Sequence, residues 1–160
     1  MDFSTFFERF AHMPPTERIT GKLTWMERIF MGTAGLVLGG LLITASFLSP
    51  DPQGLGTHQQ LGLPPCSSRY LLGIRCPACG MTTSWAYVMD GNLFSALQVN
   101  TAGTLLALLA IPASPWLVVS AVRGRVLAKA PSEMLCIWLA IAITILTLTD
   151  WGVRLYLFGG

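Results

Sequence analysis

Three uncharged apolar runs, each close to the length of a bilayer crossing, limit what this chain can fold into. Ile29 to Leu48 is 20 residues without a charge, and a helix rising about 1.5 Å per residue crosses a hydrocarbon layer of about 30 Å at that length. Thr101 to Val122 is 22 uncharged residues interrupted by Pro112 and Pro115. These prolines remove backbone donors, so this span is expected to bend and to lean on neighbouring helices. Met134 to Thr149 is only 16 residues, but Asp150 and Arg154 stand four apart and Trp151 and Tyr156 suit an interfacial belt, which lets the helix run on past the hydrocarbon edge. Composition agrees: 11% charged residues against 52% hydrophobic ones is far from the roughly 25% charge of a soluble domain. A solvated globular enzyme and a disordered chain are both excluded. The net charge of +2 comes without a run of basic residues, so nucleic-acid binding has no support and no basic patch is expected.

Orientation follows from Lys and Arg near the span ends. Arg18, Lys22 and Arg28 precede the first run, no basic residue follows it until Arg69, and Arg123, Arg125 and Lys129 lie between the second and third. Both counts place the N-terminus and the 123–132 connection in the cytoplasm, with residues 49–100 and the C-terminus facing outward. A cleaved signal peptide is the alternative for the first run, but 28 residues precede it and Thr44-Ala45-Ser46-Phe47 is a poor cleavage site. The expected organisation is therefore a cytoplasmic amphipathic segment over 1–28 and a membrane domain over 29–160, with spans near 29–48, 101–122 and 134–150. In the first segment Phe3, Phe6, Phe7 and Phe10 recur on one helical face that Pro14-Pro15 ends. That face suits the cytoplasmic leaflet or, in the sharper reading, a protein partner. Gly32, Gly35 and Gly39 share a face of the first span and permit close helix approach, either within the chain or to a membrane-protein partner. Pro50 to Pro65, with three Gly and four Pro, reads as an exposed loop.

Chemistry concentrates in the outward segment. Cys66, Cys76 and Cys79 lie there, whereas Cys136 opens the third span on the other side and reads as a small buried hydrophobe. In Cys76-Pro77-Ala78-Cys79-Gly80, Pro77 suits the first position of a helix with Cys76 as its cap. The positive helix end and Arg75 are then expected to lower the thiol pKa values of Cys76 and Cys79. Ala78 to Met89 is uncharged, too short to span, and ends at Asp90-Gly91. A second short piece capped by Asn92 can run from Leu93 to Asn100, giving a re-entrant or interfacial helical hairpin in the outer leaflet. Thr82, Thr83 and Ser84 are expected to bond back to helix carbonyls, and Asn92, Gln98 and Asn100 to satisfy backbone groups where the hairpin turns.

Cys66, Gly73, Cys76-Pro77-x-Cys79-Gly80-Met81-Thr82-Thr83-Ser84, Gly91-Asn92, Ala96 and Asn100 together resemble the small bacterial membrane-protein family catalogued as domain of unknown function 2752, over roughly residues 66–103. The chain departs from that pattern at Ser67, Thr83 and Thr101, where many members carry Pro, Arg and Pro. The resemblance implies a multi-spanning helical protein of the bacterial inner membrane and brings no established activity, substrate or cofactor.

Three uses of the cysteine trio stay open at this level. A structural disulfide can join Cys66 to Cys76 or Cys79. A metal, zinc first, suits the Cys-Pro-x-Cys-Gly knuckle, with His58 completing a Cys3His set and Asp90 a poorer fourth ligand. A thiol-disulfide exchange enzyme can use Cys76 or Cys79 as nucleophile and Cys66 as resolving thiol. No hydrolytic triad, phosphate loop, H-E-x-x-H or C-x-x-C-H motif is present. The expectation is an all-α membrane protein with three transmembrane helices, an outward cysteine-bearing hairpin and an N-terminal amphipathic helix. It acts as a non-enzymatic membrane subunit or scaffold in contact with the lipid bilayer, the alternative being a membrane thiol-disulfide oxidoreductase.

Overall fold

The computed structural model describes residues 22–54, 56–66, 76–127 and 131–158, with Ser68, Leu71 and Gly73 between. The phenylalanine face of residues 3–10, Arg75 and Lys129 lie outside the described residues. The described part is helical: α1 Trp25–Phe47, a 3-10 turn Thr57–Leu61, α2 Met81–Met89, α3 Leu93–Val99, α4 Thr101–Arg123 and α5 Glu133–Phe158. α1, α4 and α5 are long and apolar enough to cross a membrane. α1 starts four residues before its apolar run because Thr24 and Glu27 form a capping box: the Glu27 carboxylate accepts from the Thr24 N–H at 2.7 Å and the Thr24 hydroxyl accepts from the Glu27 N–H at 3.4 Å. α5 continues to Phe158, running on past its apolar stretch as the Asp150–Arg154 spacing leads one to expect.

α1 and α4 pack antiparallel along most of their length, and small residues make that possible. A Cβ placed on Gly32 would stand 3.5 Å from Ala121, one on Gly39 2.8 Å from the Ser114 hydroxyl, and one on Gly35 2.8 Å from Val118 Cγ2 and 2.9 Å from Leu117 Cβ. Ser114 Oγ donates to the Gly35 carbonyl at 3.0 Å. The glycine face is thus occupied by the chain's own α4, which removes the grounds for reading it as a partner surface. α4 stays helical through Pro112 and Pro115, and the Ser114 bond to α1 sits between them, where the prolines interrupt the helix's own ladder.

Large and small residues are sorted in the reverse of a soluble domain. The largest fully buried side chains are Thr57, Thr83, Thr104, Ser84 and Ser120, while Phe47 is 84% exposed, Phe30 76% and Trp25 72%. Where lipid is the solvent, big apolar side chains gain nothing by turning inward, and helices associate through small residues and inter-helix hydrogen bonds. Three apolar helices and this inverted core fit a membrane protein.

Among the described residues α5 packs its backbone against α4 alone of the other helices, and none of its membrane-length stretch is buried. Cys136, expected to be buried, is exposed near its start. The reason is that α5 has a neighbour on one side alone. Its far end is held by Arg154, whose guanidinium pairs with Asp150 at 3.0 Å and donates to the carbonyls of Gln98, at 3.1 Å, and Val99 at the end of α3. The Asp150–Arg154 pair therefore also ties a helix to the hairpin, more than the weak interfacial pair that its spacing suggests.

The fold creates a basic cluster that linear reading denied. Lys22 and Arg28, before and at the start of α1, meet Arg123 and Arg125 at the end of α4 around one cleft. The two pairs are about a hundred residues apart in sequence, and antiparallel packing joins them. The cysteine segment lies at the opposite end of the same helices, because Asn100 caps the first turn of α4 and Arg123 closes the last, roughly 33 Å away along 23 residues.

Candidate metal centre

Cys76 and Cys79 are carried by a turn, where a helix start had been expected. The Cys79 N–H donates to the Cys76 carbonyl at 3.0 Å and the Met81 N–H to the Ala78 carbonyl at 3.1 Å, and α2 begins only at Met81, after Gly80 at φ +83°. Pro77 fixes the first corner and Gly80 supplies the left-handed residue that lets the chain leave the second. Cys76 is consequently not a helix cap. The positive end of α2 falls beyond both cysteines, so the expected depression of the Cys76 thiol does not occur. Burial, then hydrogen bonding from Cys79 and Cys66, push it up to about 12 from an ordinary 9.0. The sign follows: the metal-free fold favours a neutral Cys76 thiol, and that contribution is present below pH 9.0 and is lost as pH rises toward about 12. A bound cation reverses this preference, since it takes the thiolate.

Cys66, thirteen positions before Cys79, is brought back to the turn. Its Sγ lies 3.5 Å from Cys76 Sγ and 3.9 Å from Cys79 Sγ, and the latter two sulfurs are 3.2 Å apart. All three thiols are half-buried. Among the described residues they are the group whose ligand atoms converge closely enough to hold one metal ion. The Cys76 N–H donates to Cys79 Sγ at 3.2 Å, the kind of backbone bond that stabilises a metal-bound thiolate. His58 sits in the 3-10 turn and lines the same cleft of about 460 Å³, with Gln59, Pro65 and Thr82, but does not fall within the converging group. Asp90 closes α2 at its far end, away from the sulfurs.

The turn is pinned from behind by Asn100, which was expected to satisfy backbone groups at the hairpin, and by a Thr57–Thr83 contact that sequence reading did not single out. Asn100 is buried, accepts the Gly103 N–H at 2.7 Å as cap of α4, and donates its Nδ2 to the Cys79 carbonyl at 3.1 Å. Thr83 does not bond back to its own helix: its hydroxyl meets that of Thr57 at 2.8 Å, and Thr57 also accepts the Asp51 N–H at 3.1 Å. Ser84 does return its hydrogen bond, to Met81 at 2.8 Å, and Asn92 caps α3 through Ser95 at 3.1 Å. The 50–65 segment is accordingly no mere exposed loop. Thr57 is fully buried in it, and Gln60 clamps both backbone groups of Ser49. The signal for Asn100 was its position, a cap between two helical patterns with a second amide group to offer. Nothing in the pattern paired Thr57 with Thr83.

Asn100→Ala removes a cap and leaves the half-buried Cys79 carbonyl without its Asn100 donor. Each loss costs about 1 kcal/mol, so roughly 2 kcal/mol of stability is expected to go in detergent unfolding. Asn100→Asp keeps the cap and loses only the second bond, so it should fall between.

Residues 66–113 match the family model described as Protein of unknown function (DUF2752), the family that the cysteine motif resembles. That stretch contains the turn, α2, α3 and the first half of α4. No curated protein matches the chain, and no solved structure does.

Proposed function

We propose that this is a small bacterial inner-membrane protein whose Cys66, Cys76 and Cys79 hold one zinc ion on the outer face. The metal staples the loop to the α2–α3 hairpin, and the protein acts as a membrane subunit or scaffold rather than as a catalyst. The carrying observation is the sulfur triangle. Ligands at about 2.3 Å around a tetrahedral ion stand about 3.8 Å from one another, and sides of 3.2, 3.5 and 3.9 Å approximate one face of that tetrahedron. His58, which lines the same cleft, is the proposed fourth ligand. Residues 1–28 form the cytoplasmic segment and 29–160 the membrane domain, with the hairpin dipping into the outer leaflet. Supporting that orientation, all four basic residues of the cleft lie at the end opposite the cysteines.

The test is native mass analysis of the full chain, purified without chelator, with metal quantification and thiol counting. One zinc per chain and thiols that react only after chelation are expected; a metal-free protein lacking two hydrogens overturns the metal in favour of a disulfide. Zinc retention should weaken as pH falls from about 8 to about 5, because each ligating thiol has to release a proton. The close approach of Cys76 and Cys79 keeps the oxidoreductase as second reading, for which Cys79→Ser should trap mixed disulfides on the remaining thiols.

A further inference from the structure

At the end of the bundle away from the cysteines, Lys22, Arg28, Arg123 and Arg125 surround an open cleft of about 590 Å³ together with Leu23 and Gly124. Among the described residues its lining includes no carboxylate. The helix-end carbonyls that would ordinarily take up such cations are already engaged. Arg125 N–H donates to the Ser120 carbonyl at 3.3 Å, Gly124 N–H to that of Ala121 at 3.3 Å, and Leu23 N–H to that of Gly124 at 2.9 Å. Arg28 donates Nε to the Ala121 carbonyl at 2.9 Å and Nη2 to that of Val122 at 3.2 Å. Glu27, the nearest acid in sequence, is committed to the Thr24 cap. Lys22 and Arg125, moreover, are directly opposed across an isolated antiparallel bridge. Like charges facing each other there are destabilising, and the side chains of Lys22, Arg123 and Arg125 have no acceptor among the described residues.

We propose that this cleft binds the phosphate of an anionic phospholipid headgroup. An oxyanion between Lys22 and Arg125 converts their repulsion into two charge-assisted bonds, and Arg123 offers a planar fork for the same group. Free phosphate shares this chemistry. The lipid is the fitting source because the cleft opens where two apolar spans meet their charged flanks, with Trp25 and Val122 each 72% exposed beside it. Basic pockets at that level are known to take lipid headgroups. Arg28, held by two backbone carbonyls, acts as the fixed wall while the other three cations close on the ligand.

The full chain in zwitterionic detergent, offered equal phosphatidylglycerol and phosphatidylcholine and read by native mass spectrometry, should retain the anionic lipid at least about tenfold better. The triple variant Lys22→Gln, Arg123→Gln, Arg125→Gln should lose that preference with a melting temperature no lower than the parent's, since all three side chains are exposed and the Lys22–Arg125 repulsion is relieved. Equal retention of the two lipids by the unmodified protein, which needs no variant to fold, overturns the proposal. So does a triple variant that keeps the preference, and so does displacement of the lipid by millimolar inorganic phosphate, which would mark a site for the free ion.

Discussion

Gly35→Val is expected to destabilise the protein by about 3 kcal/mol or more, the upper end of what overpacking costs, and to separate α1 from α4. The added Cβ alone would stand 2.8 Å from Val118 Cγ2, 2.9 Å from Leu117 Cβ and 3.0 Å from the Ser114 carbonyl oxygen. The second and third of these belong to the first atom of a side chain and to the backbone, so no rotamer change relieves them and the helices themselves have to part. Parting them breaks the Ser114–Gly35 hydrogen bond in the very region where Pro112 and Pro115 leave α4 short of its own bonds. Gly40→Val is the control, because a Cβ there meets nothing within 4 Å. Unfolding by anionic detergent, followed by helical signal, should show the first variant collapsing early and the second near the parent. Equal behaviour would mean that the two helices are held by something other than close approach of their backbones.

The same pair of helices shows what could and could not be read from sequence. Apolar runs reported the spans because bilayer thickness leaves one length that works, and Gly32, Gly35 and Gly39 reported a close contact because small residues on one face have few other uses in lipid. The partner across that contact was not legible, since Ser114, Val118 and Ala121 carry no mark of facing a glycine. Boundaries set by polar capping moved: Glu27 drew the start of α1 back beyond its apolar run, and the thiols of the C-x-x-C unit fell in a turn because Gly80, not Pro77, decides where α2 begins. Cys66 was placed with its partners by compartment and spacing alone, and its sulfur does lie within 3.9 Å of both. The basic cleft was missed for a plain reason, because charge patterning along a chain cannot see an antiparallel pairing of residues about a hundred positions apart.

Gly80→Ala should strike fold and site together. At φ +83° any side chain costs about 1–2 kcal/mol in backbone strain, and here the Cβ would also stand 2.7 Å from Val99 Cγ1 and 3.0 Å from the Gly54 carbonyl oxygen. Val99 cannot withdraw freely, since its carbonyl accepts from Arg154 and the next residue, Asn100, holds the Cys79 carbonyl. The strain is therefore passed to the turn that carries Cys76 and Cys79. A total cost of about 3 kcal/mol is expected, along with loss of the retained zinc if that turn carries the metal. Gly91→Ala separates the two contributions, because Gly91 has φ +77° and open space around its missing Cβ. It should lose only the backbone part and keep its zinc. If both variants were destabilised equally and both still bound metal, the contact of the turn with Gly54 and Val99 would have no part in shaping the sulfur triangle.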